Sequence, residues 1–302
     1  MSNKLNRIYV GAICNRDLEI FKKIKNFCNK NYNIKIINLL KKSSNSFNAK
    51  YLKKKLKKYP ISLFIVKLFS EKKNQETYNI IRDVAPNIPW LNSFESVNLC
   101  ESRKETFKLI EQKHNKLNIP KVYSSFEDAN EACVKGTVII IKRNTHNIPN
   151  LPKKERIVGI AKTPEQLKKL VKNHQEKPLF FQNYLGEYDL IYKVYVIDRW
   201  AVSISSHNRL HQKRNLSPLE LIHIRVPIEK KLKRRILRLG RRTGMFVFGV
   251  DYILTEDKKP FIIDVNDFPS FRRIPEALSL ISDYIYNVVV MQQVSFKTPV
   301  TV

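Results

Sequence analysis

Three oxygen-bearing side chains in the last fifth of the sequence have the types and spacing for metal chemistry: Asp251, Asp264 and Asn266. They sit in two β-rich apolar runs, residues 244–254 and 261–273, separated by the polar turn Thr255-Glu-Asp-Lys-Lys-Pro, which reads as an antiparallel hairpin. With those turn residues as the loop, Leu254 pairs with Phe261, and counting inward sets Asp251 directly opposite Asp264. Asn266, two residues further on, points to the same face. Opposed carboxylates repel and weaken a hairpin; a divalent cation between them reverses that sign. Carboxylates with an amide oxygen are hard ligands suited to Mg²⁺, which leaves its other positions to water and substrate phosphates. The competing reading is a solvent-facing hairpin with ordinary charges, but the flanking residues are apolar.

Phe248-Gly-Val-Asp, a hairpin turn, and Ile263-Asp-Val-Asn-x-x-Pro269 together resemble the metal-binding end of the ATP-grasp enzymes. By that resemblance Asp251, Asp264 and Asn266 hold one or two Mg²⁺ ions against the phosphates of ATP. The expected fold class is α/β, an ATP-grasp fold preceded by a parallel α/β domain. Most ATP-grasp ligases carry Glu at the position of Asp264. Asp-x-Asn-x-Phe-Pro is closer to the inositol trisphosphate 5/6-kinase branch, which continues with Gly-Tyr where this chain has Ser270-Phe271.

Other segments carry the same likeness. Tyr192-Lys-Val-Tyr-Val resembles the Leu-Tyr-Lys-Val-Phe-Val of the inositol kinases, whereas RimK-type ligases have Asp-Ile-Arg-Val there; Lys193 is the discriminating residue. Val66-Lys-Leu-Phe-Ser aligns with a kinase segment whose lysine contacts substrate phosphates, which assigns Lys67 to the acceptor, with Arg16 as a weaker candidate. The resemblance implies that Arg103 or Lys104 meets ATP, that Lys142 contacts the α-phosphate region, and that Gln182, Tyr184 and Leu185 line an adenine slot. His146 falls near a substrate-binding His-Gly, although Asn147-Ile-Pro-Asn replaces the glycine-rich loop whose backbone would cradle phosphates. Arg209, within the basic loop 205–214, joins Lys193 in neutralising the transferred group, and Ser270 and Arg272 lie toward the acceptor.

Strand and helix patterns alternate over the first 95 residues, which implies a small parallel sheet with right-handed crossovers. Strands are expected at 7–14, 33–40 and 61–69, with helices at 17–31, 48–59 and 73–84 between and after them. A helix opened at Arg103, a strand at 138–142 ending in Lys142, a long loop at 143–157 that could act as a lid, and an apolar strand near 178–185 follow. A basic helix at 228–244 precedes the hairpin, and a helix at 275–292 follows it. The domains read as 1–95, 96–178 and 179–302.

Composition bounds the rest. The chain has 302 residues, enough for two or three lobes. Its 56 Lys+Arg against 27 Asp+Glu give a net charge of +29, consistent with an anionic partner or with lysines that only cover solvated faces. Four scattered cysteines without a CxxC pattern suggest neither disulfides nor zinc. No apolar run of membrane length is visible. The expectation is a cytoplasmic, monomeric kinase that uses Mg²⁺ and ATP on an inositol phosphate or similar polyanionic polyol, with no membrane or nucleic-acid partner. The alternative is a RimK-type carboxylate–amine ligase acting through an acylphosphate.

Overall fold

The computed structural model describes residues 7–40, 47–114, 116–208, 210 and 223–295. It begins with β1 (Ile8–Cys14), α1 (Leu18–Tyr32), β2 (Ile34–Asn38), α2 (Ala49–Lys58), β3 (Ile61–Lys67), α3 (Asn74–Val84) and β4 (Trp90–Leu91). These strands form one parallel sheet in the order β2-β1-β3-β4. Near-continuous apolar strands such as Ile61–Lys67 are what a sheet covered on both faces demands.

The chain continues through α4 (Phe94–Leu99), α5 (Arg103–Lys113), β5 (Val122–Tyr123), α6 (Phe126–Val134), β6 (Ile139–Arg143), β7 (Ile157–Ala161), α7 (Pro164–Lys172) and β8 (Leu179–Asn183). The central sheet is antiparallel, ordered β5-β8-β6-β7, and α6 and α7 bury Ala129, Cys133 and Leu167 against it. The last sheet is built from β9 (Leu190–Ile197), β10 (Trp200–His207), β11 (Arg225–Val226), β12 (Val247–Leu254) and β13 (Pro260–Asp267) in the order β11-β10-β9-β12-β13. Helix α8 (Lys230–Thr243) covers one of its faces, and α9 (Ala277–Ser295) returns to the first domain.

Two boundaries drawn from sequence move. Strand β8 hydrogen-bonds to β5 and β6, so the division expected after residue 178 falls instead between Asn183 and Leu190. Helix α5, assigned by order to the central lobe, lays Ile110 into the core of the last sheet beside Val194, Leu232 and Val250.

The hairpin shows a compensated error. Leu254 pairs with Pro260 rather than Phe261, and a bulge at Ile263 then restores the register, so Asp251 does stand opposite Asp264. Helix α8 packs Leu232, Ile236 and Leu239 on the sheet and ends at Gly244, whose φ of 74° is the left-handed C-terminal cap that glycine adopts at no steric cost.

Among the described residues no helix is long and apolar enough to cross a membrane. All four cysteines are free and buried.

Candidate active site

The site forms along one row of the last sheet. In register, Lys193 on β9 lies beside Asp251 on β12, which lies beside Asp264 on β13. Residues level with one another on adjacent strands share a face, so the three side chains emerge together. Lys193 Nζ donates to Asp251 Oδ2 at 2.6 Å. Arg103, the first residue of α5, closes the row from the other side: its Nε and Nη2 meet the two oxygens of Asp264 at 3.1 and 3.2 Å, a bidentate pair. Two opposed carboxylates are thus flanked by two cations.

The neighbouring sheet supplies the next layer. Lys142, at the end of β6, donates to Gln182 Oε1 at 2.9 Å and to the carbonyl of the bulged Ile263 at 3.0 Å. The bulge that aligns the two carboxylates is therefore held by a lysine from another sheet. His146 Nε2 is 3.5 Å from Asp264 Oδ1 but outside hydrogen-bond geometry. Asn266 Nδ2 also approaches Asp264, at 3.5 Å.

Electrostatics follow from this crowding. Burial pushes the Asp264 carboxyl up, but the charges of Arg103 and Lys142 and the Arg103 hydrogen bonds outweigh it and hold it below the usual carboxylate range. Asp251 is raised, because burial, reinforced by the charge of Asp264, exceeds the pull of Lys193. Burial brings Lys142 down to about 8, and burial with the Arg103 charge brings His146 down to about 3, so its imidazole is neutral at physiological pH. Lys193 is raised: burial disfavours its charge, and Asp251 more than compensates.

Three buried nitrogens here have no hydrogen-bond partner: His146 Nε2, Gln182 Nε2 and Arg156 Nε. Buried polar atoms without partners are costly, and ligand acceptor atoms would relieve them. Among the described residues no group of three His, Cys, Asp or Glu could enclose a metal by itself. That suits Mg²⁺, which takes one or two carboxylates and keeps water and phosphate as its other ligands. Asp251, Asp264 and Asn266 fit such an ion.

The loop after β6 lacks glycine, yet Asn147 and Asn150 take left-handed φ of 50° and 59°, the conformation asparagine best tolerates among residues with a Cβ. The expected lid is tethered at its base: Arg103 N donates to Asn144 O, His146 N to Glu101 O, and Ser70 N to Asn147 O.

Other expected site residues lie elsewhere. Lys104 reaches out to Ser124 O at 2.9 Å and does not join the cleft. Tyr184 N is occupied by Val138 O and Leu185 O by Tyr188 Oη, so those two backbone groups of the adenine slot already have partners in the chain. Lys67 is 0% exposed and bound to Pro269 O and Asp17. Arg16 donates to Leu68 O, Asp267 O and Phe268 O. Together with Asn92, which donates to the buried Asp267 carboxylate, they clamp the segment leaving β13, where Phe268 and Phe271 carry left-handed φ of 38° and 50°. Ser270 is half-buried in that segment, and Arg272 is exposed, 3.8 Å from Asp17. Arg209 lies outside the described residues.

Sequence reasoning missed Arg156, Asn92 and Asp267. Arg156, from the 3₁₀ turn Lys153–Arg156 before β7, lies close enough to the site that Arg103, after burial, lowers its guanidinium pKa and Asp264 opposes the shift. A single arginine in a polar loop carries no pattern by which to find it.

The chain superposes on D-alanine–D-alanine ligase from Bacillus anthracis, complexed with ATP, with a TM-score of 0.66 at 12% identity, covering 96% of this chain and 99% of that one. The chain has the ATP-grasp fold. Likewise similar are the ATP-grasp RimK domain protein of Sphaerobacter thermophilus (TM-score 0.63, 13% identity, 93% and 99% covered) and the macrocyclase MdnC of Microcystis aeruginosa bound with precursor peptide MdnA (TM-score 0.62, 13% identity, 94% and 99% covered). The model of the Tubulin-tyrosine ligase family matches residues 201–300, the stretch that contains the β12–β13 hairpin. No curated protein matches the sequence.

Proposed function

We propose that this ATP-grasp chain is a Mg-ATP-dependent ligase that activates a carboxylate as an acylphosphate and passes the acyl group to an amine. The observation that carries the reading is the row Lys193–Asp251–Asp264–Arg103, set at the seam of two antiparallel sheets with Lys142 above it. Four cations, Arg103, Lys142, Lys193 and Arg156, surround two carboxylates. That excess of positive charge in a buried cleft favours a polyphosphate. The ligase class is favoured because the similar folds belong, by name, to ligases, and because the family model matching the hairpin is that of a ligase.

Mg²⁺ held by Asp251, Asp264 and Asn266 would neutralise phosphate charge. Arg103 and Lys193, which occupy those carboxylates here, are then placed to turn toward phosphate oxygens and stabilise the charge that builds during transfer. The substrate carboxylate oxygen bonds to the γ-phosphorus as the bond to ADP breaks; the amine then bonds to the acyl carbon as inorganic phosphate leaves. Transfer of this kind requires positioning and charge neutralisation rather than a protein nucleophile.

The second reading is the polyol kinase. Asp in place of Glu at 264 and the Tyr192-Lys-Val-Tyr-Val segment, whose Lys193 sits on Asp251, favour it. Purified protein given Mg-ATP, hydroxylamine and a panel of amino acids, with inositol phosphates in parallel, separates the two. A hydroxamate formed in step with phosphate release supports the ligase. Phosphate appearing on a polyol, with none released to solvent, would overturn it in favour of the kinase.

A further inference from the structure

We propose that helix α8, with the groove at its C-terminal end, is a docking surface for an acidic polypeptide segment that carries an apolar anchor. Eight of the 14 residues of α8 are Lys or Arg and none is acidic. Its apolar stripe is consumed by the sheet, whereas Lys231, Arg234, Arg238 and Arg241, spaced three or four residues apart, form one exposed line along the helix. None of the helix's cations pairs with a described acidic residue.

This arrangement opposes helix stability. Lys230, Lys231 and Lys233 crowd the N-terminal turn, where the helix dipole disfavours positive charge, with Glu229 as the lone nearby acid on the chain. Arg234, Arg238 and Arg242 repel one another at successive i, i+4 spacings. A bound acidic chain reverses the sign of both effects.

The line of charge leads into a groove of about 700 Å³ where α4, α5 and the end of α8 meet. Leu99 and Leu109 supply its apolar surface, Lys113, His114 and Arg242 its basic side, and Glu95 is its one acid. Burial and the positive charges of Arg242, Arg238 and Lys113 lower the pKa of His114. Leucines beside cations suit a peptide with acidic and apolar side chains. No aromatic ring lines the groove, so it lacks the stacking platform on which single-stranded nucleic acids rely.

The face of the sheet under α8 presents Val194 and Val250, next in sequence to Lys193 and Asp251, which point the opposite way. The docked segment therefore lies across the sheet from the carboxylates, and its binding stands whether the cleft is a ligase or a kinase.

The test measures anisotropy of a fluorescein-labelled peptide of Glu-Glu-Leu repeats on the full chain, without ATP. The triple variant R234E/R238E/R242E is compared with K54E/K57E/K58E on α2, which changes net charge equally. We expect roughly tenfold or greater weakening for the α8 variant and a change within about twofold for the α2 variant. Poly-glutamate without leucine should bind roughly tenfold more weakly than the repeat peptide. Equal losses in the two variants, or equal affinity for the two peptides, would overturn the proposal, as would poly-uridine displacing the peptide at lower concentration than poly-glutamate does. Thermal melts should show the α8 variant no less stable; if the reversal does unfold the helix, R234Q/R238Q/R242Q carries the same comparison.

Discussion

Asp251 and Asp264 face each other across β12 and β13, and each is met by a cation from outside that hairpin, Lys193 at 2.6 Å and Arg103 at 3.1 Å. The pairing resolves a conflict inherent in the sequence, since buried like charges side by side cannot persist without compensation. It also holds the two carboxylates in a fixed orientation.

Asp264→Asn keeps the shape and removes the charge. ATP turnover should fall by roughly a thousandfold, with a thermal melt still cooperative. Turnover near that of the unaltered chain would rule out Asp264 as a metal ligand.

Lys193→Ala should reduce turnover by at least roughly tenfold, whereas Lys54→Ala on exposed α2 should leave it within about twofold. Equal effects of the two would remove Lys193 from the site.

Lys67 should contribute a stability increment that grows between about pH 8 and about pH 10, read as a difference from Lys67→Met because buried thiols such as Cys14, raised to about 12 by burial, pull the other way in both chains. Lys67, ordinarily 10.5, is brought down to about 8, chiefly by burial, with Arg16 adding to the shift and Asp17 opposing it. Below that value folded and unfolded chains both bind the proton, and the folded state bears the full cost of burying the charge. Above it only the unfolded chain retains the proton, so the penalty fades, by roughly 3 kcal/mol for a shift of this size. Lys142, also near 8, contributes a parallel rise. Urea unfolding across this range should show the unaltered chain gaining stability on Lys67→Met as pH rises; a constant difference between the two would remove Lys67 as a source of the pH dependence.

Gly249→Ala probes the segment beyond β13. An added Cβ would lie 3.1 Å from Pro269 Cγ, so the clamped turn must shift, at a cost of roughly 1–3 kcal/mol by denaturant titration. A neutral result would mean that the turn yields more easily than its anchors at Lys67 and Arg16 imply.

Why the hairpin was legible, and its surroundings less so, is a matter of range. Strand periodicity of two determines which side chains share a face, so Asp251, Asp264 and Asn266 could be grouped from spacing alone. The counting was one residue off at Leu254, and the bulge at Ile263 cancelled the slip. That bulge could not be foreseen because Lys142 holds it from another sheet. Lys67 and Lys142 look alike in sequence, each ending an apolar strand, and both were read as phosphate contacts. One stands over the carboxylates; the other is sealed against Pro269 O and Asp17. The sequence marks where α5 begins without revealing which lobe its Ile110 faces, and Arg103 could be separated from Lys104 only by packing.

Helix α9 has a consequence for the order of synthesis. Its Ile281, Ile285 and Val289 share a core with Phe21 and Ile24 of α1, and Tyr286 stacks on Tyr32 with ring centroids 4.7 Å apart. Chains emerge from the ribosome N-terminus first and domains generally fold as they appear. Here the first domain leaves the exit tunnel with one flank uncovered, and the residues that cover it are translated only after the strands of both later sheets. The nascent chain must carry that open surface until α9 emerges, a window in which a chaperone has something to hold.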